Sequence, residues 1–280
     1  MVQNRRFWVV GGDRRQRALA ALLEQDGHRV ACRGLDSTPF SIEGVNQSDC
    51  ILLPLPVVSS PGLLNAPFSS PDIPLSSVLQ VLSPGQHIFG GRVDSASQQM
   101  AAELGLELRD YALREEFAVA NAVPTAEGAV RLAMEELPIT IHGARVLVLG
   151  FGRVGKATAR RFHALGAAVT VAARRYESLA WAEAEGFSPV LLGEEALSAF
   201  DLVVNTIPAP VLDRMRLAEL RPGTPVLDLA SQPGGVDRSA AEDLHIRAIH
   251  ALGLPGKTAP VTAAAAIRDG VYHMLEELRA

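Results

Sequence analysis

The residues whose spacing carries the most chemistry are Gly150, Gly152 and Gly155, in Val148-Leu-Gly-Phe-Gly-Arg-Val-Gly155. Three glycines at this spacing suit a dinucleotide pyrophosphate. The first lets the chain turn tightly, the second lets phosphate approach the backbone, and the third lets a helix pack close to the strand before it. The turn must open a helix, so that the first N–H groups, here those around Arg153 and Val154, and a partial positive charge face the anion. The context fits. Val146–Leu149 is a short apolar run before the turn, and Val154, Ala157, Thr158 and Phe162 recur on one helix face after it. A second strand, Ala168-Val-Thr-Val-Ala-Ala173, follows Gly166.

The end of that strand bears on the choice of cofactor. A NAD site usually shows an acid about 20 residues beyond the glycines, accepting from the ribose 2′-OH. Here the strand ends in Ala173-Arg174-Arg175-Tyr176, with no acid. Guanidinium groups pair with a 2′-phosphate, which a carboxylate would repel. Arg174 and Arg175 therefore predict NADP, with NAD the alternative. Ligands of parallel sheets lie beyond the carboxyl ends of the strands. Three loops are expected to converge there: Asn205-Thr206-Ile207-Pro208, Asp228 to Gly235 with Ser231, and Gly253 to Thr262 with Pro255, which leads into the last helix.

A second glycine turn, Gly11-Gly12-Asp13-Arg14-Arg15-Gln16, follows the apolar run Phe7–Val10. Gly12, Asp13, Arg15 and Gln16 offer N–H groups and a guanidinium to a substrate carboxylate. The same residues also make an ordinary capped helix start with solvated arginines. Asn121 and Thr125 flank Pro124 and serve either a cleft or local capping. His250 ends a strand as a site wall or a core contact. His142 reads as structural and Lys257 as a solvated loop lysine. Cys32 and Cys50 read as buried small hydrophobes in a reducing compartment. No nucleophile elbow, P-loop or metal-ligand spacing is present, and no general base stands out.

The elements that must hold these groups follow from length and pattern. A chain of 280 residues with 48% hydrophobic content suits two α/β domains. A net charge of −5 without a basic stripe argues against nucleic acid. No apolar run is long enough to span a membrane. The N-terminus leads into a strand rather than a signal peptide, so a cytoplasmic protein is expected. The first domain, residues 1–122, is expected to be a Rossmann- or flavodoxin-like α/β substrate domain. Ser59 to Pro74 reads as a loop over one end of its sheet. Residues 114–137 read as two helical stretches, with Pro124 in the first turn of the second. The second domain, residues 123–280, reads as an NAD(P)-binding Rossmann domain with a mostly parallel sheet. It includes the linker helix and a C-terminal helix, Val261 to Leu278, long enough to cross back to the first domain.

Taken in order, these motifs resemble the dipicolinate synthase A-chain family, the dehydrogenase-like subunits of endospore-forming bacteria. The carriers are Gly11-Gly12-Asp13 with Arg15-Gln16, Asn121 to Gly128, Thr140 to Gly143, Val148 to Gly155, Ala173-Arg174, Asn205 to Pro208, Leu227 to Gly235, and Gly253 to Gly256 with Ala259-Pro260. Ala263 stands where the pattern has glycine, and Gly90 where it has serine. The resemblance implies NADP-linked oxidation of a dihydrodipicolinate, or its hydrated precursor, to dipicolinate for the spore, in a cleft between the domains. It also implies a flavoprotein-like second chain as partner; a homo-oligomer is expected. The two substrate carboxylates need cationic or N–H partners, for which the turn at Gly12 to Gln16, Thr125 and Ser231 are candidates. A 2-hydroxyacid dehydrogenase is one rival, but its catalytic arginine position holds Ala230-Ser231-Gln232 here. A cofactor-binding subunit without chemistry of its own is the other.

Overall fold

The computed structural model describes residues 4–38 and 40–279. It divides into two compact units, Met1–Asn121 with Ala259–Ala280, and Ala122–Thr258. The first unit runs β1 (Arg6–Val10), α1 (Arg14–Gln25), β2 (Arg29–Arg33), β3 (Cys50–Leu52), β4 (Val58–Ser60), β5 (Leu63–Leu64), α2 (Leu75–Leu79), β6 (His87–Gly90), α3 (Ser95–Glu103) and β7 (Leu108–Asp110). Then comes α4 (Glu115–Glu136), within which the division between the units falls. The second unit continues with β8 (Arg145–Leu149), α5 (Arg153–Ala164), β9 (Ala168–Ala173), α6 (Tyr176–Ala184), β10 (Ser188–Leu191), β11 (Leu202–Asn205), α7 (Arg214–Leu217), β12 (Val226–Asp228), α8 (Arg238–Asp243), β13 (Ala248–His250) and α9 (Leu254–Thr258). The last helix, α10 (Pro260–Glu277), belongs to the first unit.

The first unit is a five-stranded parallel sheet in the order β2-β1-β3-β6-β7, the flavodoxin-like winding. Period-two alternation splits its core. Phe7 and Val9 face one layer with Leu19 and Leu23 of α1 and Ile267, Val271 and Leu275 of α10. Trp8 and Val10 face the other, with Val78 and Leu79 of α2 and Ala101 of α3. Burying the three α10 aliphatics against α1 and the sheet contributes about 1.5–3 kcal/mol each. This corrects the expected grouping of the C-terminal helix with the nucleotide domain: its apolar stripe is spent on the first unit. The expected loop from Ser59 to Pro74 holds a small antiparallel ribbon, β4 with β5.

The second unit is a six-stranded parallel sheet in the order β10-β9-β8-β11-β12-β13, the winding of dinucleotide-binding domains. Val146 and Val148 pack with Ala129 and Ala133 of α4 and Ala159 and Phe162 of α5. Leu147 and Leu149 face the other side, with Leu217 of α7 and Ala240 and Ala241 of α8. Three local readings need correction. Residues 115–136 form one continuous helix with Pro124 inside, because Phe117, Ala122, Ala126, Ala129 and Ala133 form a buried stripe on both sides of the proline. The missing N–H costs one rung, which packing offsets. Cys32 is exposed, since β2 is an edge strand, whereas Cys50 is buried in the central β3. Finally, the segment after Gly253 contains a helical turn, α9, rather than only loop. No helix among the described residues is long and apolar enough to cross a membrane.

Candidate functional site

At the turn after β8, each glycine has a distinct physical reason. Gly150 has φ of +93°, and a Cβ there would lie 2.6 Å from Thr206 Oγ1. A Cβ on Gly155 would lie 2.2 Å from the Gly150 carbonyl oxygen, so only glycine lets α5 approach the strand. Gly152 differs from both: its conformation is ordinary, and a Cβ would meet nothing within 4 Å. Gly152 therefore keeps a space clear above the backbone rather than relieving a clash. It is also the N-cap of α5, and no side chain caps the helix. A cradle that a Cβ would fill, at an uncapped helix start, fits a pyrophosphate.

The other expected residues take different places around this turn. Val154 packs partly against the core, leaving its backbone as the part that can meet a ligand. Arg153 is exposed in the first turn of α5. Arg174 and Arg175 are exposed just past the end of β9. Thr206 ties the neighbouring strand ends together, its hydroxyl donating to Leu149 O at 2.8 Å. Ile207 follows it, half-buried against the core, and Pro208 is exposed at the same end. Gly253, with φ of +68°, leads into α9, where Pro255 is buried.

Asn205 and Asp228 face inward. Asn205 is 0% exposed and Asp228 is 3% exposed. The Asn205 amide donates to Asp228 Oδ1 at 2.8 Å and to Ile207 O at 3.0 Å. Asp228 also accepts from Ala230 N–H at 3.2 Å and Gly235 N–H at 2.9 Å. These two side chains thus fasten the loop bearing exposed Ser231 to the ends of β11 and β12. His250 Nε2 adds a contact of 3.1 Å to Ala230 O. A cavity of about 450 Å³ beside Met134, Ile139, His142 and Leu165 lies near the opposite, amino-terminal end of β8. There His142 packs on Gly166, where a Cβ would come 2.2 Å from its Nδ1, in keeping with a structural role.

The first unit's turn is filled by its own residues. Gly11 N–H donates to Arg33 O at 2.8 Å, and Gly12 N–H to Asn65 O at 2.6 Å. Asp13 caps α1, accepting from Arg15 N–H at 2.9 Å. Its carboxylate also takes Arg15 Nε at 2.9 Å and Nη2 at 2.9 Å. Arg15 Nη2 donates to Leu55 O at 2.6 Å, and Gln16 Nε2 to Leu53 O at 3.0 Å. Arg15 and Gln16 therefore bridge the ends of β1 and β3, where a flavodoxin-like sheet has its crevice. Two polar atoms there lack partners among the described residues, Gln16 Oε1 and the Tyr111 hydroxyl. Burial pushes the Tyr111 hydroxyl pKa well above the ordinary phenol range. Sequence reasoning missed Asn65 and Tyr111; neither sits in a recognisable pattern. Asn121 is half-buried on α4 within the first unit, and Thr125 is buried on the same helix within the second.

Comparison with known proteins agrees with this architecture. Residues 6–112 match the N-terminal domain of the dipicolinate synthase A chain, and residues 115–230 match the NAD binding domain of D-isomer specific 2-hydroxyacid dehydrogenases. The chain is 33% identical to the dipicolinate synthase A chain of Bacillus subtilis (strain 168), covering 100% of this chain and 99% of that one. The crystal structure of the dipicolinate synthase A chain from Bacillus halodurans is 34% identical, with a TM-score of 0.88 over 98% of this chain and 99% of that chain. The crystal structure of the Bacillus subtilis protein superposes with a TM-score of 0.85 at 33% identity, over 100% and 98% of the two chains. The second unit therefore carries a nicotinamide-nucleotide dehydrogenase fold, and the chain belongs to the dipicolinate synthase A-chain family.

Proposed function

We propose that this chain oxidises a dihydrodipicolinate, or its hydrated precursor, to dipicolinate with NADP as hydride acceptor. The observation that carries the reading is the turn at Gly150–Gly155, open above Gly152, combined with a β9 end that presents Arg174 and Arg175 and no carboxylate. When bound, the cofactor supplies a two-electron acceptor. Gly152 and the first N–H groups of α5 hold its pyrophosphate, and the two arginines pair with its 2′-phosphate. Thr206 and the loop held by Asn205 and Asp228 border the nicotinamide end. The carboxylates of the substrate meet N–H and hydroxyl groups, with Ser231 and Thr125 as candidates from the second unit. Arg15 is assigned a positioning role in the first unit, because Asp13 and Leu55 O already occupy it. Aromatisation supplies much of the driving force, so the protein's main task is to orient ring and cofactor.

The relatives are named as one lettered component of a synthase, which supports a second chain as partner. We propose a flavoprotein-like one, with the present chain itself homo-oligomeric and cytoplasmic. The 2-hydroxyacid dehydrogenase alternative has support from its matching nucleotide domain, but the stretch Ala230-Ser231-Gln232, where that family is expected to carry its arginine, holds none. The test is to mix the purified chain with dihydrodipicolinate and NADP⁺. Reduced cofactor and dipicolinate in equal amounts are expected. Turnover of 2-keto acids with NADH, or none with dihydrodipicolinate under any cofactor, would contradict the reading.

A further inference from the structure

We propose that His250 is the proton acceptor of this oxidation, an inference that rests on the dihydrodipicolinate reading above. His250 is the last residue of β13 and pairs in register with Asp228 of β12. Its Nε2 lies 3.1 Å from Ala230 O. A carbonyl oxygen only accepts, so Nε2 carries the hydrogen and the neutral ring keeps its lone pair on Nδ1. Nδ1 has no hydrogen-bond partner among the described residues, and the half-buried ring is not sealed in the core.

The surroundings hold this ring in place. Ala230 begins the loop that Asp228 and Asn205 fasten. A Cβ at Gly234 would lie 2.5 Å from Asp228 Oδ2 and 3.4 Å from His250 Nε2, so glycine leaves room for both. Asp228 is the charged group facing the ring across Gly234, and its two oxygens already accept N–H donors. Among the described side chains just past the ends of β8, β11 and β12, Phe151, Thr206, Ile207, Ser231 and Gln232 take no proton near neutral pH, nor does the Asn205 amide or the Arg153 guanidinium. His250 is the group at these strand ends suited to do so.

Bonds and electrons balance. One ring C–H bond of dihydrodipicolinate breaks with its electron pair leaving as hydride to NADP⁺, which is reduced to NADPH. A second ring bond, C–H or N–H, breaks and leaves its pair behind as the double bond that completes the pyridine. Its proton goes to His250 Nδ1 and from there to solvent.

The test uses full-length His250→Gln and His250→Ala. Glutamine keeps an N–H donor for Ala230 O and removes the base. For H250Q, kcat is expected to fall about 100-fold or more. NADP affinity, titrated without substrate, should stay within about twofold, and the acid limb of the pH profile should flatten. Added imidazole should restore part of the H250A rate. Calorimetry of dipicolinate binding without cofactor, in two buffers of different ionisation enthalpy, should show proton uptake by wild type and none by H250Q. Wild-type kcat and pH profile in H250Q would overturn the proposal. So would a loss of kcat with the acid limb intact and no response to imidazole. Wild-type protein that leaves NADP⁺ oxidised would instead sink the substrate reading, and this role with it.

Discussion

Gly11-Gly12 after β1 and Gly150–Gly155 after β8 each carry a buried strand into a helix of 12 residues. Their surroundings diverge. In the first unit, Asn65 O takes the Gly12 N–H, Asp13 caps α1, and Arg15 and Gln16 reach across to the β3 end. In the second unit, α5 has no side-chain cap and the space above Gly152 is clear. A strand, a glycine turn and a helix thus make a scaffold, and whether it becomes an anion site depends on what the chain itself places over the turn. One turn's polar groups are taken up by its own fold, and the other's face open space, which is the basis for proposing a ligand there.

This contrast can be broken by substitution. The largest effect is expected for Asp13→Ala. It strands the Arg15 guanidinium, whose side chain is 8% exposed, and removes the α1 cap. About 3 kcal/mol of unfolding free energy should disappear in denaturant titration, with NADP affinity of the folded protein little changed. A drop in cofactor affinity at unchanged stability would show that the first turn is a ligand site after all.

Gly152→Val should give the reverse. Melting should move little, because the residue has ordinary dihedrals and open space around it. NADP affinity should fall about 100-fold, roughly 2.7 kcal/mol, since the side chain fills the phosphate's approach. Retained affinity would remove the pyrophosphate from this turn. Gly12→Ala should cost about 2 kcal/mol, because φ is +101° and a Cβ would sit 2.0 Å from Gln16 Cγ. Here too the cofactor titration should be unaffected.

The smallest effect concerns the α10 attachment in the first unit. Arg5 N–H donates to His28 Nδ1 at 3.2 Å, His28 Nε2–H donates to Tyr272 Oη at 2.8 Å, and Tyr272 O–H donates to Asp26 at 2.9 Å. Arg268 also meets Asp26 at 3.3 Å. Burial holds the His28 pKa below its ordinary value, against the pull of Asp26 and with help from Arg5. The unfolded chain therefore binds the proton first as pH falls. The stability His28 contributes is complete above the unfolded pKa of about 6.5 and is lost as pH drops through the folded value. Unfolding free energy measured from about pH 7.5 to 5 should decline less in His28→Gln than in wild type. Parallel curves would reject this linkage.

Much of the second unit was legible in the sequence because its signals are local. Three glycines, a continuous apolar strand and an amphipathic helix lie within one stretch, and the β9 end follows at a fixed distance. The strand alternation of both sheets was legible for the same reason. What could not be read depends on long-range packing. The stripe that carries α4 past Pro124 and the faces that join α10 to α1 are set by partners far along the chain. The occupancy of the first turn depends on Asn65 and Leu55, some 50 and 40 residues away. The inward orientation of Asn205 and Asp228 likewise required the loop at Gly235, whose N–H groups are anonymous in sequence.

The central claim, that the open turn and the arginines beside it hold NADP, is tested most directly by equilibrium titration of NADP and NAD against full-length wild type and Arg174→Asp. Wild type should bind NADP at least about tenfold more tightly than NAD. Arg174→Asp should lose most of that preference while its NAD affinity stays within about threefold. Equal losses for the two cofactors, or a wild-type preference for NAD, would contradict it.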